Sequence, residues 1–91
     1  MITSFLQYIQ YEKNYSSHTV LSYKTDLQKF CSFLKQYSVD FNPKTITSGD
    51  IRLWVLESME GGESPRTINR KISTLRSFYR FLNEKLWKEP Y

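Results

Sequence analysis

The sequence predicts an all-α fold, a compact bundle of four helices in a single domain. Apolar residues recur at spacings of three and four along most of the chain, which is the period of an amphipathic helix. The 91 residues include only three Gly and three Pro, and these cluster between the periodic segments. A composition that is 40% hydrophobic and 16% aromatic favours a packed interior over disorder. A chain of this length can bury one modest core.

The first two helices are separated by a short polar loop. The first is predicted from Thr3 or Ser4 to Lys13. The second begins at Ser16-Ser17, because either hydroxyl can cap the free amides of a first turn, and it ends near Tyr37-Ser38. Its apolar stripe consists of Val20, Tyr23, Leu27, Phe30, Cys31 and Leu34. Leu21 and Phe33 fall outside this stripe.

The third and fourth helices have clear start positions. The third begins at Thr47-Ser48 and ends at Glu60-Gly61-Gly62, where glycine suits a left-handed cap. Its predicted inner edge is Ile51, Trp54, Val55 and Met59. The fourth begins after Ser64 with Pro65, whose missing amide costs nothing in a first turn, and Pro90 limits its C-terminal end. Its apolar residues are Ile68, Ile72, Leu75, Phe78, Tyr79, Leu82 and Leu86.

The net charge of the chain lies in its last third. Residues 63–91 contain seven Lys and Arg against three Glu, which gives +4, whereas residues 1–62 are neutral. On a helix with about 100° per residue, the apolar set of the fourth helix centres about 190° from Arg66. The opposite face carries Arg66, Asn69, Arg70, Ser73, Ser77 and Arg80.

These residue types match the chemistry of nucleic acids. Arginine offers paired donors to phosphates and guanine, asparagine can pair with adenine, and serine can donate to phosphate oxygens. The pattern therefore indicates a nucleic-acid-binding face. A solvated helix with an accidental basic bias, an acidic protein partner and a membrane surface are the alternatives that the pattern leaves open.

Several classes of function lack the residues they need. Cys31 is the only cysteine, so an intrachain disulfide or a cysteine zinc site is excluded, and it is expected to be an inert core thiol. His18 has no second metal-ligating partner, and no nucleophile is paired with a base. Gly61-Gly62 lacks the spacing of a phosphate-binding loop. We expect no enzyme activity, metal or cofactor in this chain. We also expect a cytoplasmic protein without a membrane partner, because neither a signal peptide nor a long apolar run is present.

Three segments resemble one family at the expected spacing. They are residues 16–20 with Tyr23, Asp26-Leu27, Phe30 and Phe33-Leu34; Ile46-Thr47 with Asp50-Ile51; and residues 64–82. Together they resemble the N-terminal SAM-like core-binding domain of tyrosine recombinases, which include phage integrases and Xer-type recombinases. The resemblance extends from Phe5 to about Pro90.

The resemblance implies a SAM-like four-helix bundle that binds one side of a duplex half-site. Its function would be sequence-directed binding of double-stranded DNA, which positions a recombination half-site for cleavage by a separate C-terminal catalytic domain. Residues 1–91 correspond to the core-binding domain, and the catalytic domain is absent from this sequence, so Tyr91 is not its nucleophile. The implied partners are double-stranded DNA, the protein's own catalytic domain and other recombinase protomers in a synaptic complex.

By position, the resemblance places two helices against DNA. The fourth would contribute the face defined above, with Thr67 and Lys71 contacting phosphate from its edges. The second would contribute His18, Thr19, Ser22 and Lys29. Three apolar residues outside the stripes, Leu21, Phe33 and Phe81, are expected either to contact a neighbouring protomer or the catalytic domain, or to add core packing.

Two other functions predict different behaviour. A helical protein–protein interaction module without DNA binding would show salt-tolerant partner binding. A helix-turn-helix regulator requires a short turn before its recognition helix, whereas residues 60–64 separate the last two helices here. An Arg66→Ala, Arg70→Ala double variant is expected to weaken duplex binding without unfolding a DNA-binding domain.

Overall fold

A computed structural model describes residues 2–37 and 41–86, and four α-helices make up most of these two ranges. The helices are α1 (Ile2–Tyr11), α2 (Ser17–Gln36), α3 (Ser48–Glu60) and α4 (Pro65–Phe81), and α4 continues into a π-helical turn, Leu82–Leu86. α1 packs on α2, and both α2 and α3 pack on α4. No β-strand occurs within the two described ranges. The predicted all-α, four-helix fold is confirmed.

Local capping explains why the helix starts match the prediction. Ser16 Oγ accepts the Thr19 amide at 3.2 Å, and Ser64 Oγ accepts the Thr67 amide at the same distance. Thr47 and Asp50 form a reciprocal capping box at the start of α3. Gly62 has a φ of +83°, the left-handed conformation expected after α3.

The helix ends are less well predicted. α1 ends at Tyr11, two residues before the predicted Lys13. The fourth helix does not continue as a regular α-helix to Leu86, because it changes to π geometry after Phe81. Ser38, Lys88 and Pro90, which the predictions also used, lie outside the described residues.

Aromatic side chains form the centre of the bundle. Phe5, Phe30 and Phe78 are fully buried, on α1, α2 and α4 respectively. The Phe5 and Phe78 rings meet edge to face with their centroids 5.3 Å apart. Trp54 adds α3 to this core, with its ring centroid 4.9 Å from that of Phe30. One cluster therefore joins all four helices.

The buried face of α4 is turned by about 70° from the apolar stripe that periodicity predicts. Lys71, Thr74 and Phe81 are buried on it, whereas Ile68 and Ile72 are only half-buried. Lys71 and Thr74 can be buried because both have hydrogen-bond partners within the protein. Phe81 packs in the core, which agrees with the second of the two expectations for it, extra core packing.

A similar shift occurs on α2. Asp26 and Phe33 are buried, whereas Cys31 is half-buried, and burial raises the pKa of its thiol. Phe33 is thus a core residue like Phe81. Leu21 is 61% exposed, so it is not part of the core.

On α3 the predicted inner edge is wrong at one position. Met59 is 57% exposed, and Ser58 is buried in its place. Ser58 is tolerated there because its hydroxyl donates to the Trp54 carbonyl at 2.9 Å. None of the helices in the described ranges is long and apolar enough to cross a membrane.

Candidate nucleic-acid interface

The outward face of α4 is a row of polar and cationic side chains. Arg66, Asn69, Ser73, Arg76 and Arg80 are all exposed on it. At 1.5 Å per residue, the row is about 21 Å long from its first to its last arginine. Within residues 2–37 and 41–86, these three arginines form no ion pair. We call this row the α4 face.

Arg76 belongs to the α4 face although it was not among the predicted contacts. The prediction centred the outward face on Arg66, opposite the apolar stripe. Because the buried face is turned, Arg76 becomes fully outward and Arg70 moves to the boundary with α2. The basic residue type was visible in the sequence, but its orientation was not.

A shallow groove lies between the N-terminal half of α2 and the middle of α4. It has a volume of about 370 Å³ and is lined by His18, Thr19, Ser22, Tyr23, Arg70 and Ser73. Five of these six residues are predicted DNA contacts from two different helices. The first turn of α2 forms one wall, and the free amides of a helix N-terminus favour anions. The arrangement suits a phosphate backbone.

Arg70 is held in this groove by a buried carboxylate. Its Nε donates to Asp26 Oδ2 at 3.0 Å and its Nη2 donates to Asp26 Oδ1 at 2.9 Å. Asp26 is fully buried, and Thr74 Oγ1 lies 2.9 Å from its Oδ2. The hydrogen bonds from Arg70 to Asp26 raise the pKa of Arg70. This network joins α2 to α4 through polar atoms.

A second group of predicted residues meets α1 at the other end of the α4 face. Ser77 and Arg80 line a small cavity of about 70 Å³ together with Tyr8, Lys13 and Tyr15. Lys13 Nζ lies 5.9 Å from the centroid of the Tyr8 ring. Lys13 was not a predicted contact, because only the packing of α1 on the bundle brings it beside Arg80.

Lys29 and Lys71 lie elsewhere, in a cleft of about 410 Å³ formed by α2, α3 and α4. Glu57 and Glu63 line the same cleft, so its charge is mixed. Lys71 is 3% exposed and its Nζ lies 2.7 Å from Glu63 Oε1. This placement corrects the expected phosphate contact of Lys71, since its ammonium is already occupied inside the protein. Lys29 is exposed and lines this cleft, and it is not among the residues that line the groove at His18.

Thr67 lies at the start of α4, next to Arg66. It is half-buried, and its Oγ1 accepts a hydrogen bond from Ser64 Oγ at 3.1 Å. Its hydroxyl therefore takes part in the cap of the helix. Among the described residues, no group of three His, Cys, Asp or Glu side chains is placed to hold a metal ion.

The comparison with protein families decides the classification. A family model described as "Phage integrase, N-terminal SAM-like domain" matches residues 2–85. The chain belongs to this family. All twelve of the predicted contact residues lie within the matched range of the SAM-like domain. The resemblance inferred from the sequence is confirmed.

Several curated relatives of this SAM-like domain are named "Tyrosine recombinase XerC". The protein of that name from Bacillus licheniformis is 43% identical over 89 residues, covering 97% of this chain and 29% of the relative. The Bacillus subtilis relative is 42% identical over 86 residues, covering 93% and 28%. The Thermodesulfovibrio yellowstonii relative is 41% identical over 81 residues, covering 89% and 25%.

The chain thus spans less than a third of the length of the curated relatives it matches. No solved structure gives a significant match.

Proposed function

We propose that this domain binds double-stranded DNA as the N-terminal part of a tyrosine-type site-specific recombinase. In this role it positions a recombination half-site for cleavage by a separate catalytic domain. The observation that carries the proposal is the α4 face, whose three arginines have no carboxylate partner within the described residues. The face continues into the groove at the N-terminus of α2.

Phosphate binding would supply most of the affinity. Arg66, Arg76 and Arg80 offer planar donor groups along one side of α4, and a helix of this diameter fits the major groove of B-DNA. Serine hydroxyls in the groove, such as Ser22 and Ser73, can donate to phosphate oxygens and fix the position of the duplex.

Base contacts would come from the N-terminal part of the α4 face and from the start of α2. Asn69 is exposed on the α4 face between Arg66 and Ser73, and an amide can pair with both donor and acceptor groups of adenine. His18 is exposed in the first turn of α2 and lines the groove. These two side chains are the best placed of the predicted contacts to distinguish one sequence from another.

The cutting and rejoining of DNA is assigned to the remainder of a recombinase. The relatives are tyrosine recombinases, and this chain matches 25–29% of their length. The other proposed partners are the catalytic domain of the same protein and further recombinase protomers in a synaptic complex.

The test compares duplex binding of two variants with the same charge loss. Arg66→Gln with Arg80→Gln removes two cations from the α4 face. Arg52→Gln with Lys35→Gln removes two exposed cations from α3 and from the end of α2. Fluorescence anisotropy with a labelled mixed-sequence duplex should show at least about tenfold weaker binding for the first pair and a much smaller change for the second.

Salt dependence gives a second measure. With about four phosphate contacts, affinity should fall by about two orders of magnitude between about 50 and 200 mM salt. Equal weakening by both variant pairs would show that net charge, and not the α4 face, governs binding. Absence of duplex binding by the folded wild-type domain would contradict the proposal.

A helical protein–protein interaction module without DNA binding is the second candidate. Leu53, Leu56 and Met59 are 43%, 48% and 57% exposed on α3, which is a short apolar row on the surface. Such a module would retain partner binding at high salt and would ignore the Arg66 and Arg80 substitutions.

A further inference from the structure

We propose that Asp26 is a positioning residue for DNA binding, which holds the guanidinium of Arg70 so that its remaining donors face the groove between α2 and α4. The inference rests on the proposed function of the domain. It goes beyond attraction between basic side chains and DNA, because it gives the negatively charged Asp26 a role in binding the negatively charged phosphate backbone.

The guanidinium of Arg70 has one edge paired with Asp26 and one nitrogen outside that pair. Nε and Nη2 are used by the two oxygens of Asp26, at 3.0 and 2.9 Å. Nη1 takes no part in this pair. The side chain is 39% exposed and lines the groove, whereas the Asp26 side chain is fully buried. One edge of the guanidinium is therefore fixed inside the protein, and the donors of Nη1 remain available on a side chain that lines the groove.

The carboxylate also has a contact with Thr74. Thr74 Oγ1 lies 2.9 Å from Asp26 Oδ2, and the same hydroxyl oxygen lies 2.9 Å from the Arg70 carbonyl oxygen. A free arginine loses rotamer freedom when it binds a phosphate. Here much of that freedom is lost on folding, so the side chain is preorganised for the ligand.

An Asp26→Asn substitution separates this role from simple charge. By charge alone, removal of a carboxylate beside DNA should leave binding unchanged or tighten it. If Asp26 positions Arg70, duplex binding should weaken by about tenfold and the salt slope should become shallower by about 0.9, the value for one phosphate contact. Equal or tighter binding with an unchanged slope would overturn the inference.

The measurement needs folded protein, which far-ultraviolet circular dichroism at the binding temperature establishes. Glu60→Gln is the matched control, since it removes one exposed carboxylate from α3, and its binding should equal or slightly exceed that of the wild type. If Asp26→Asn does not fold, Arg70→Lys replaces it as the test.

Arg70→Lys keeps the positive charge, but its three donors share one nitrogen and cannot reproduce the planar fork that pairs both carboxylate oxygens and leaves a further nitrogen for a phosphate. We expect about tenfold weaker binding and a shallower slope for this variant too. Binding equal to that of the wild type would overturn the inference. Loss of binding in the Arg66 and Arg80 variant, together with normal binding by Asp26→Asn and Arg70→Lys, would leave the proposed function standing and refute only this role.

Discussion

Lys71 and Glu63 form an ion pair at the corner between α3 and α4, with Lys71 Nζ 2.7 Å from Glu63 Oε1. The same ammonium donates to Ser58 Oγ at 3.0 Å and lies 4.8 Å from the centroid of the Trp54 ring. One lysine thus connects α4, the loop before it and the inner side of α3. Although Lys71 contributes to the formal charge of the last third of the chain, its position makes it part of the fold.

Truncation of Lys71 should therefore destabilise the domain. Lys71→Ala leaves a cavity beside Trp54 and removes the cation from Glu63, and we expect a loss of about 2–4 kcal/mol in the free energy of unfolding. Lys71→Met also removes the cation but keeps most of the volume, so it should cost less than Lys71→Ala. Urea unfolding followed by circular dichroism measures both.

Folded Lys71→Met should bind duplex DNA like the wild type, because the ammonium that it replaces is buried. Weaker binding by this variant would return Lys71 to the set of phosphate contacts.

The same ion pair makes stability depend on acid pH. The hydrogen bond from Lys71 lowers the pKa of Glu63 below its ordinary value. A carboxyl group with a lowered pKa in the folded state stabilises the protein above its unfolded pKa, and this contribution is lost as the pH falls through the folded pKa. The free energy of unfolding should accordingly decrease as the pH drops below about 4.3.

Glu63→Gln should flatten part of this decrease. The comparison is made by urea unfolding of the wild type, Glu63→Gln and Glu60→Gln between about pH 5 and pH 3. Glu60 is exposed, so its variant should follow the wild-type profile. A profile of Glu63→Gln that is parallel to both would rule out this pair as a source of the pH dependence.

Arg70→Ala should reduce stability strongly, which revises the expectation for the Arg66→Ala, Arg70→Ala double variant. The substitution leaves the fully buried carboxylate of Asp26 without its cation, and breaking such a pair costs about 3–5 kcal/mol. Arg66→Ala changes an exposed side chain and should stay within about 0.5 kcal/mol of the wild type.

An Asp26→Leu, Arg70→Met variant identifies the cause of the loss. Replacement of both partners by apolar residues removes the unpaired charge, so most of the stability should return. If the double variant is as unstable as Arg70→Ala, the loss comes from the packing of the arginine stem and not from the unpaired buried charge of Asp26.

The sequence predicted the four helices and their start positions, but it did not predict how each helix is rotated about its own axis. Helix starts depend on local caps at Ser16, Thr47 and Ser64, which residue types reveal. Rotation about the helix axis was inferred by treating apolar residues as inward and polar residues as outward. Asp26 and Lys71 break that assumption, because each finds its partner on another segment of the chain.

The candidate site shows the same limit. Periodicity alone placed Arg66, Ser73 and Arg80 on an outward face, and the structure agrees. Periodicity could not show that Arg70 has an internal partner 44 positions away, or that Lys13, just after α1, lines a cavity with Arg80. Such contacts depend on how the helices pack against one another. A local pattern of residues does not reveal contacts between segments that are distant in the sequence.

Arg76 offers the most direct test of the corrected rotation. It lies outward on the α4 face, although the apolar stripe placed the centre of that face elsewhere. If the face binds a duplex, Arg76→Gln should weaken binding several-fold and reduce the salt slope by about 0.9, because one phosphate contact is lost. Arg52→Gln on α3 is the matched control, and anisotropy titrations at several salt concentrations measure both slopes. Identical slopes for the two variants would mean that the duplex does not reach the side of α4 on which Arg76 lies.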